Sequence, residues 1–209
     1  MGRAVNWKQQ TINTYNKSAK ELTEYFRGIG SREKHIDLAI RLAGTPINPR
    51  VLEIGCGDGR DAREVIKRTR NYTGFDVSEE LIGIARDYVP SAEFEIADAI
   101  DYKYPNGLDV VLAFASLLHL DKRDVKSVLQ KVHKALKPGG VFMISLKLAD
   151  SYKEQVKEDN FGSRMFYFYN PNVIEELAGP GYEVASCTSD FKAANKSKWF
   201  EIALRKKLA

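Results

Sequence analysis

Glycines and acidic side chains follow a short apolar run early in the chain, where together they could hold a small ligand. Residues 51–54 are apolar apart from Glu53, and Gly55, Gly57 and Gly59 come directly after them. Glycines at this spacing let the backbone turn sharply and let a ligand approach the main chain closely. The pattern predicts a buried strand, a ligand-binding turn and then a helix.

The spacing of the glycines differs from that of a dinucleotide-binding turn. Such a turn needs its third glycine where Arg60 stands in this sequence. Glu53 comes just before the turn, and a carboxylate there suits a ligand that carries cationic groups. S-adenosylmethionine is such a ligand, because it carries an ammonium and a sulfonium as well as a carboxylate. Glu53 either meets the methionine end of this ligand or only fixes the loop.

Five segments in register resemble the motifs of class I S-adenosylmethionine-dependent methyltransferases. They are residues 53–59, 72–76, 97–99, 108–113 and 136–140. The resemblance implies an α/β fold, with a Rossmann-like seven-stranded sheet that is mostly parallel and whose last strand is antiparallel. Helices would cover both faces of the sheet. It also implies S-adenosylmethionine as the cofactor and S-adenosylhomocysteine as its product.

The resemblance further implies which side chains meet the cofactor. Asp76 would accept from both ribose hydroxyls; its alternative role is to cap the next helix, for which Ser78 is available. Asp98 would accept from the adenine amino group, unless it is a plain loop acid. The expected cofactor contacts are Tyr15, Glu53, Gly55, Cys56, Gly57, Asp58, Arg60, Asp76, Val77, Asp98, Ala99, Ala113 and Phe114.

The chain before the first strand is expected to form a helical cap. Apolar residues at three- and four-residue steps predict a helix over residues 7–27, and Ser31 is a suitable N-cap for a second helix. Tyr15 resembles the aromatic residue of a lid segment in many small-molecule methyltransferases, unless it only packs. Residues 1–209 would form one domain, with residues 1–46 as the cap and residues 47–209 as the core.

The remainder of the chain alternates between apolar strands and helices, which predicts a mostly parallel sheet covered on both sides. Residues 92–97 and 141–146 are predicted as the third and fifth strands. Asn170 should cap a helix, and residues 182–187 and 199–204 should form a terminal hairpin.

Candidate acceptor residues lie in the second half of the chain. His119 follows the fourth strand, and a histidine with a near-neutral pKa can take a proton from an acceptor. A hydrogen-bonded structural histidine is the alternative. Residues 148–169 occupy a substrate-facing position in the family, so Arg164, Tyr167 and Tyr169 are expected to contact the acceptor. The alternative is an extra strand that packs its aromatic residues on the core.

Composition narrows the function without fixing the acceptor. The net charge of +4 is compatible with RNA but does not require it. Cys56 stands in the glycine turn, a poor place for a disulfide, which favours reduced thiols in the cytoplasm. No apolar run reaches the length of a membrane span, and no side-chain spacing predicts a metal site.

Methyl transfer to a small molecule is therefore the expected function. A tRNA or other RNA acceptor is one alternative, since residues 164–169 faintly resemble a segment of tRNA wobble-uridine methyltransferases. A non-catalytic S-adenosylmethionine-binding protein is another. The missing Asn-Pro-Pro-aromatic motif argues against methylation of amino groups on bases or glutamine. The sequence favours neither a monomer nor a homodimer.

Overall fold

Nine strands form two sheets in a computed structural model that describes residues 5–45, 47–192 and 197–208. The strands are β1 (Val51–Ile54), β2 (Tyr72–Asp76), β3 (Glu93–Ile96), β4 (Leu108–Phe114), β5 (Leu136–Lys147), β6 (Lys153–Asp159), β7 (Gly162–Phe168), β8 (Tyr182–Lys192) and β9 (Lys198–Lys206). The larger sheet has the order β3-β2-β1-β4-β5-β9-β8, and β6 pairs with β7 in the smaller one.

The larger sheet has the predicted direction of strands. β1 is parallel to β2 and β4, β2 to β3, and β4 to β5. β9 is antiparallel to both β5 and β8, so it is the one strand of this sheet that runs against the others. The central strands β1 and β4 are buried along their whole length, as expected for a sheet covered on both faces.

Seven α-helices are described around these sheets: α1 (Trp7–Lys17), α2 (Ala19–Ile29), α3 (Glu33–Leu42), α4 (Ala62–Val65), α5 (Glu79–Tyr88), α6 (Lys122–Ala135) and α7 (Pro171–Ala178). A 3-10 turn spans Leu117–His119. One apolar cluster packs the large sheet against α6 and α7, and the other packs its opposite face against α3, α4 and α5. Every described helix is too short to cross a membrane.

Side-chain caps fix where several helices begin. Ser78 accepts a hydrogen bond from the Leu81 amide at the start of α5. Asp121 does the same for the first turn of α6, and Asn170 for that of α7. Each satisfies one of the amides that a helix leaves unpaired in its first turn. The predictions of Ser78 and Asn170 as helix caps are confirmed.

The N-terminal cap differs from its prediction at two points. The expected helix over residues 7–27 is interrupted at Ser18, whose backbone leaves the helical region with φ −109° and ψ 25°. The Ser18 hydroxyl donates to the Phe161 carbonyl over 2.9 Å, a contact outside the helix. Ser31 is not the N-cap of α3, which begins after Arg32; the Arg32 amide donates instead to Asp61 over 2.8 Å. Tertiary hydrogen bonds override the local pattern at both places.

The segment after β5 is an antiparallel hairpin of β6 and β7. Along β7, Arg164, Phe166 and Phe168 are buried, while the residues between them are half-buried. This alternation is that of a strand with one face against the rest of the molecule. Residues 148–169 therefore contain the extra strand that was the alternative to a substrate-facing segment, and this strand packs aromatic residues on the core.

Candidate cofactor and acceptor site

A cavity lies over the carboxyl ends of β1, β2 and β4, beneath α1. Every expected cofactor contact except Ala113 lines this cavity, and so does His119. Ala113 is fully buried in the apolar cluster against α6 and α7, because its side chain points away from the cavity on the alternating β4 strand. The expectation for Ala113 is therefore corrected.

The glycines of the turn after β1 are needed for two different reasons. Gly55 has φ +69°, and a Cβ there would lie 2.3 Å from the Ser116 Cβ, so the loop after β4 excludes any side chain. Gly57 has φ +54° with nothing within 4 Å of the position of a Cβ. The first glycine permits close packing of two loops. The second leaves open space above the main chain, into which a ligand fits.

Asp76 joins the end of β2 to the glycine turn. Its two oxygens accept from the amides of Gly57, over 3.0 Å, and Ser78, over 2.9 Å. Burial raises the pKa of Asp76, and these amide donors act in the opposite direction. Because a carboxylate has about four acceptor positions, both oxygens retain a lone pair for a ligand.

Glu53 is buried beneath the turn and accepts from the Tyr72 hydroxyl over 2.6 Å. Burial, together with the nearby Asp61, raises the pKa of Glu53 to about 8. The side chain is therefore largely neutral at pH 7 before a ligand binds. A cationic group in the cavity would favour its ionised form.

Ion pairs tie the cap to the same turn. Arg27 of α2 contacts Asp58 over 2.7 Å, and Arg32, just before α3, contacts Asp61 over 2.7 Å. Both carboxylates are buried, so these pairs are shielded from solvent. They fix the cap against the turn that the cofactor motif provides.

At the other end of the cavity, Asp98 contacts Lys8 of α1 over 2.5 Å. Its second oxygen accepts from the Ile100 amide over 3.0 Å, which fixes the loop after β3. The acid expected to meet adenine is thus engaged by the cap. Sequence reasoning missed Lys8 because a lysine in the first turn of a polar helix resembles any solvent-facing residue.

Tyr15 and His119 form a hydrogen-bonded pair across the cavity. The Tyr15 hydroxyl lies 2.8 Å from His119 Nε2, and His119 Nδ1 lies 2.7 Å from the Met165 carbonyl oxygen. A carbonyl only accepts, so Nδ1 carries the proton and Nε2 accepts from the tyrosine. Burial lowers the pKa of His119 to about 3. The expectation of a near-neutral histidine pKa is corrected, since the imidazole is held neutral.

Three hydroxyls on one face of the N-terminal helices bind the free edge of β7. The Met165 amide donates to Thr11 over 3.0 Å, and Thr14 donates to the Ser163 carbonyl over 2.9 Å. Ser18 extends the row to the Phe161 carbonyl. We call Thr11, Thr14 and Ser18 the docking face. Their spacing of three and four residues places them on one side of a helix.

Comparisons with known proteins agree with this geometry. Residues 51–140 match the family described as methyltransferase domain. The chain is thus similar to the class I S-adenosylmethionine-dependent methyltransferases, to which solved structures with the same fold belong. Two solved structures that the chain resembles, DhpI and the magnesium protoporphyrin IX methyltransferase of Synechocystis, contain S-adenosylhomocysteine and S-adenosylmethionine. Over 124 residues the chain is 32% identical to the ubiquinone biosynthesis O-methyltransferase of Pseudomonas aeruginosa, covering 54% of this chain and 49% of that protein.

A second relative is an uncharacterised methyltransferase of Synechocystis, 26% identical over 56% of this chain and 55% of that protein. The chain spans about half the length of the curated relatives it matches. Among solved structures, the N1-methyltransferase of Burkholderia thailandensis that acts on 1,6-didemethyltoxoflavin has a TM-score of 0.75 at 16% identity, covering 100% of this chain and 93% of that one. The [4+2]-cyclase SpnF also has a TM-score of 0.75, at 18% identity and full coverage of both chains. These structures share the fold.

The residues predicted to contact the acceptor lie outside the lining of the cavity. Arg164 is buried and pairs with Asp159, and its guanidinium carbon lies 5.3 Å from the centre of the Tyr15 ring. Tyr167 stacks with Tyr152, on the opposite face of the hairpin. Tyr169 is fully buried, and its hydroxyl donates to the Leu120 carbonyl over 2.6 Å.

These positions correct the prediction that all three residues face the acceptor. Tyr169 packs in the core, and Tyr167 turns away from the cavity because side chains alternate along β7. Arg164 does not line the cavity but contacts Tyr15, which does. The sequence predicted that the aromatic residues 166–169 lie near the site, but it did not show which of them point toward the interior.

Proposed function

We propose that the chain transfers the methyl group of S-adenosylmethionine to a small-molecule acceptor inside the cavity beneath α1. One observation carries this proposal: the glycine turn, Asp76 and Asp98 converge on that cavity. Ligands of open parallel sheets bind outside the carboxyl ends of the strands, which is where these groups stand.

The cofactor would lie along the cavity with its methionine end at the glycine turn. Gly57 provides the open space there, and Glu53 becomes ionised when the ammonium arrives. Asp76 accepts from the ribose hydroxyls with its free lone pairs. Asp98 accepts from the adenine amino group, for which Lys8 must move aside. The first turn of α1 therefore shifts when the cofactor binds.

Methyl transfer is an in-line displacement in which the cofactor supplies the reactive group, while the protein supplies alignment and a water-poor cavity. Tyr15 closes the cavity on the side of β7 and is held in place by His119. Burial raises the pKa of Tyr15, so its hydroxyl stays protonated at neutral pH. We assign His119 a positioning role, because a histidine with so low a pKa is a poor proton acceptor.

A small acceptor is favoured by the enclosure of the site and by the relatives. α1 covers the cavity with Thr11, Ile12 and Tyr15, and the β6–β7 hairpin packs against this helix, an arrangement that suits a small molecule better than a polymer. Relatives of the chain include a ubiquinone biosynthesis O-methyltransferase and a phosphoethanolamine N-methyltransferase of Plasmodium falciparum. Both are named for small molecules.

The test is a two-part measurement on the purified chain. Calorimetry should show binding of S-adenosylmethionine and of S-adenosylhomocysteine. Extracts supplied with methyl-labelled cofactor should then give a labelled product in the small-molecule fraction. Label found only in RNA would overturn the choice of acceptor. Tight cofactor binding with no labelled product in either fraction would identify a non-catalytic binding protein.

A further inference from the structure

Lys147 is a buried lysine that the proposed reaction does not use. It ends β5, is 7% exposed, and its ammonium nitrogen lies 3.8 Å from the centre of the Phe166 ring. The Trp199 ring is 5.9 Å from the same nitrogen. Within the described ranges, no carboxylate lies within ion-pair distance of it. A buried ammonium normally has such a partner.

Two further lysines point at the same aromatic surface. On β6, the ammonium nitrogens of Lys153 and Lys157 lie 4.6 Å and 5.2 Å from the centre of the Phe168 ring. Lys153 is opposite Phe168 in the hairpin register and Lys157 opposite Arg164, so both lysines share the inward face of β7. Neither forms an ion pair with a described residue.

These cations repel one another. Burial, together with the nearby Lys157 and Arg164, lowers the pKa of Lys147 to about 8. Burial and Lys153 together lower the pKa of Lys157. Asp159 is the acid that acts against these effects, and it already pairs with Arg164.

The same surface holds N–H donors that have no acceptor. Trp199 Nε1 and Arg164 Nε are buried and have no hydrogen-bond partner. A buried unpaired donor destabilises the folded chain, and cation–π contacts do not supply the hydrogen-bond acceptor that it lacks. The surface has unpaired donors and positive charge together, and an anion would satisfy both.

We propose that Lys147, Lys153, Lys157 and Trp199 bind a carboxylate or phosphate group of the acceptor. This anion subsite rests on the proposed methyl transfer, because it describes one end of the molecule that is methylated. The exposure falls from Lys153, which is exposed, through Lys157 to Lys147. Because Lys147 is buried, a small anion suits this position better than the backbone of a nucleic acid.

The subsite adjoins the cavity through one aromatic ring. Phe166 contacts Lys147 on one side, and its centre lies 4.8 Å from the centre of the His119 ring on the other. An acceptor anchored at Lys147 would reach past Phe166 toward the Tyr15–His119 pair. The acceptor class is therefore an anionic small molecule whose methylated atom is about one ring width from its charged group.

Tryptophan fluorescence gives a direct readout of this subsite. The chain has two tryptophans, so a Trp7→Phe variant reports on Trp199 alone. It is titrated with inorganic phosphate and, separately, with benzoate. Lys147→Met should weaken binding of the preferred anion by about tenfold or more, the loss expected for a charge-assisted hydrogen bond. Lys126→Gln, which removes an exposed charge from α6, should leave it unchanged.

The two anions distinguish a phosphate group from a carboxylate as the natural ligand. If Lys147→Met does not fold, a Lys153→Gln/Lys157→Gln variant replaces it, with several-fold weaker binding expected. The proposal is overturned if neither anion saturates, or if Lys126→Gln weakens binding as much as Lys147→Met. It is also overturned if a single-stranded oligonucleotide binds with the same dependence on Lys147.

Calorimetry with S-adenosylhomocysteine keeps the two proposals separate. Unchanged cofactor affinity in Lys147→Met, together with lost anion binding, supports the subsite. A chain that binds anions through Lys147 but never binds the cofactor would overturn the proposed function and leave the anion site in place.

Discussion

The glycine turn lines the cavity, the β6–β7 hairpin packs against α1 beside it, and the two are held by different kinds of interaction. The turn is fixed by main-chain bonds from adjacent strands, such as the 2.7 Å bond from the Gly55 amide to the Phe75 carbonyl. The hairpin is fixed to the cap by side-chain hydroxyls of the docking face, from residues far away in the chain. The glycine turn with Asp76, which we call the cofactor half after its proposed ligand, is therefore built into the sheet. The β6–β7 hairpin with the helix α1 that covers it, which we call the acceptor half after its proposed role, depends on docking of the cap.

This difference indicates which half can move. Opening the cap would break the bonds from Thr11 and Thr14 to β7 and the Tyr15–His119 bond, while the Asp76–Gly57 bond would remain. Lids that move in this way admit substrate and then exclude water. We expect the acceptor half to open and close over a preformed cofactor site.

The largest effect should be a loss of cofactor affinity when a residue of the cofactor half is substituted. Asp76→Ala removes the acceptor for the Gly57 and Ser78 amides as well as for the ribose. Affinity for S-adenosylhomocysteine should fall by about a hundredfold or more, as two or more charge-assisted bonds are lost. Calorimetry measures this, with Asp101→Ala on the exposed loop as the control. Unchanged affinity in folded Asp76→Ala would refute the ribose assignment.

The next effect should come from undocking the cap. Thr11→Val with Thr14→Val leaves the Met165 amide and the Ser163 carbonyl unpaired, at about 1–3 kcal/mol for each group that stays buried. Amide hydrogen exchange of α1 and β7 should accelerate by about tenfold or more. Gln10→Ala, an exposed change on the same helix, is the control. If exchange in β7 is unaffected, the docking face does not hold the hairpin.

A fall in pH should lower the free energy of unfolding by a smaller amount, through His119 beneath the cap. His119 has a folded-state pKa of about 3, below its ordinary 6.5, so the unfolded chain binds more protons between these values. Its contribution to stability is present above pH 6.5 and is lost as pH falls through about 3. The slope is at most about 1.4 kcal/mol per pH unit.

Urea unfolding at pH 7 and pH 5 measures this dependence in the unmodified chain and in His119→Asn. Glu53, whose folded pKa is raised to about 8, acts in the opposite direction, since its contribution is lost as pH rises through that value. The difference between the two proteins isolates the histidine. Equal pH dependence in both would show that His119 is not buried as a neutral group.

The smallest effect should be a difference in turnover between substitutions on the two faces of β7. Arg164→Ala removes the guanidinium beside Tyr15 and should lower turnover while leaving cofactor affinity nearly unchanged. Tyr167→Ala, on the outward face, should change both by no more than about twofold, as is usual for surface substitutions. Turnover of the acceptor found in the labelled extract measures both. A larger loss in Tyr167→Ala than in Arg164→Ala would mean that the acceptor meets the other face.

The cofactor half was predictable from sequence because its determinants are local. Residues 53–59 specify their own turn, and Asp76 ends a strand that alternates regularly with helices. Thr11, Thr14 and Ser18 carry no such signal, since hydroxyls on a helix usually face water. Their role depends on pairing with a strand about 150 residues later, which no local pattern encodes.

The same limit applies to single side chains. The sequence placed His119 near the reaction but could not give its pKa, which follows from burial and from the Met165 carbonyl. It likewise grouped Tyr167 with Arg164 by proximity along the chain, whereas strand alternation sends them to opposite faces. Lys147 passed unnoticed at the end of a buried strand, because its environment is assembled from three separate segments.

The docking face also prevents β7 from pairing with strands of other chains in solution. β7 is an edge strand, and α1 satisfies the amide of Met165 and the carbonyl of Ser163 that a free edge would offer. An uncovered edge is a template for a strand of another chain. Loss of residues 5–18 would thus expose this edge to other chains, so the cap protects against aggregation as well as placing Tyr15 over the cavity.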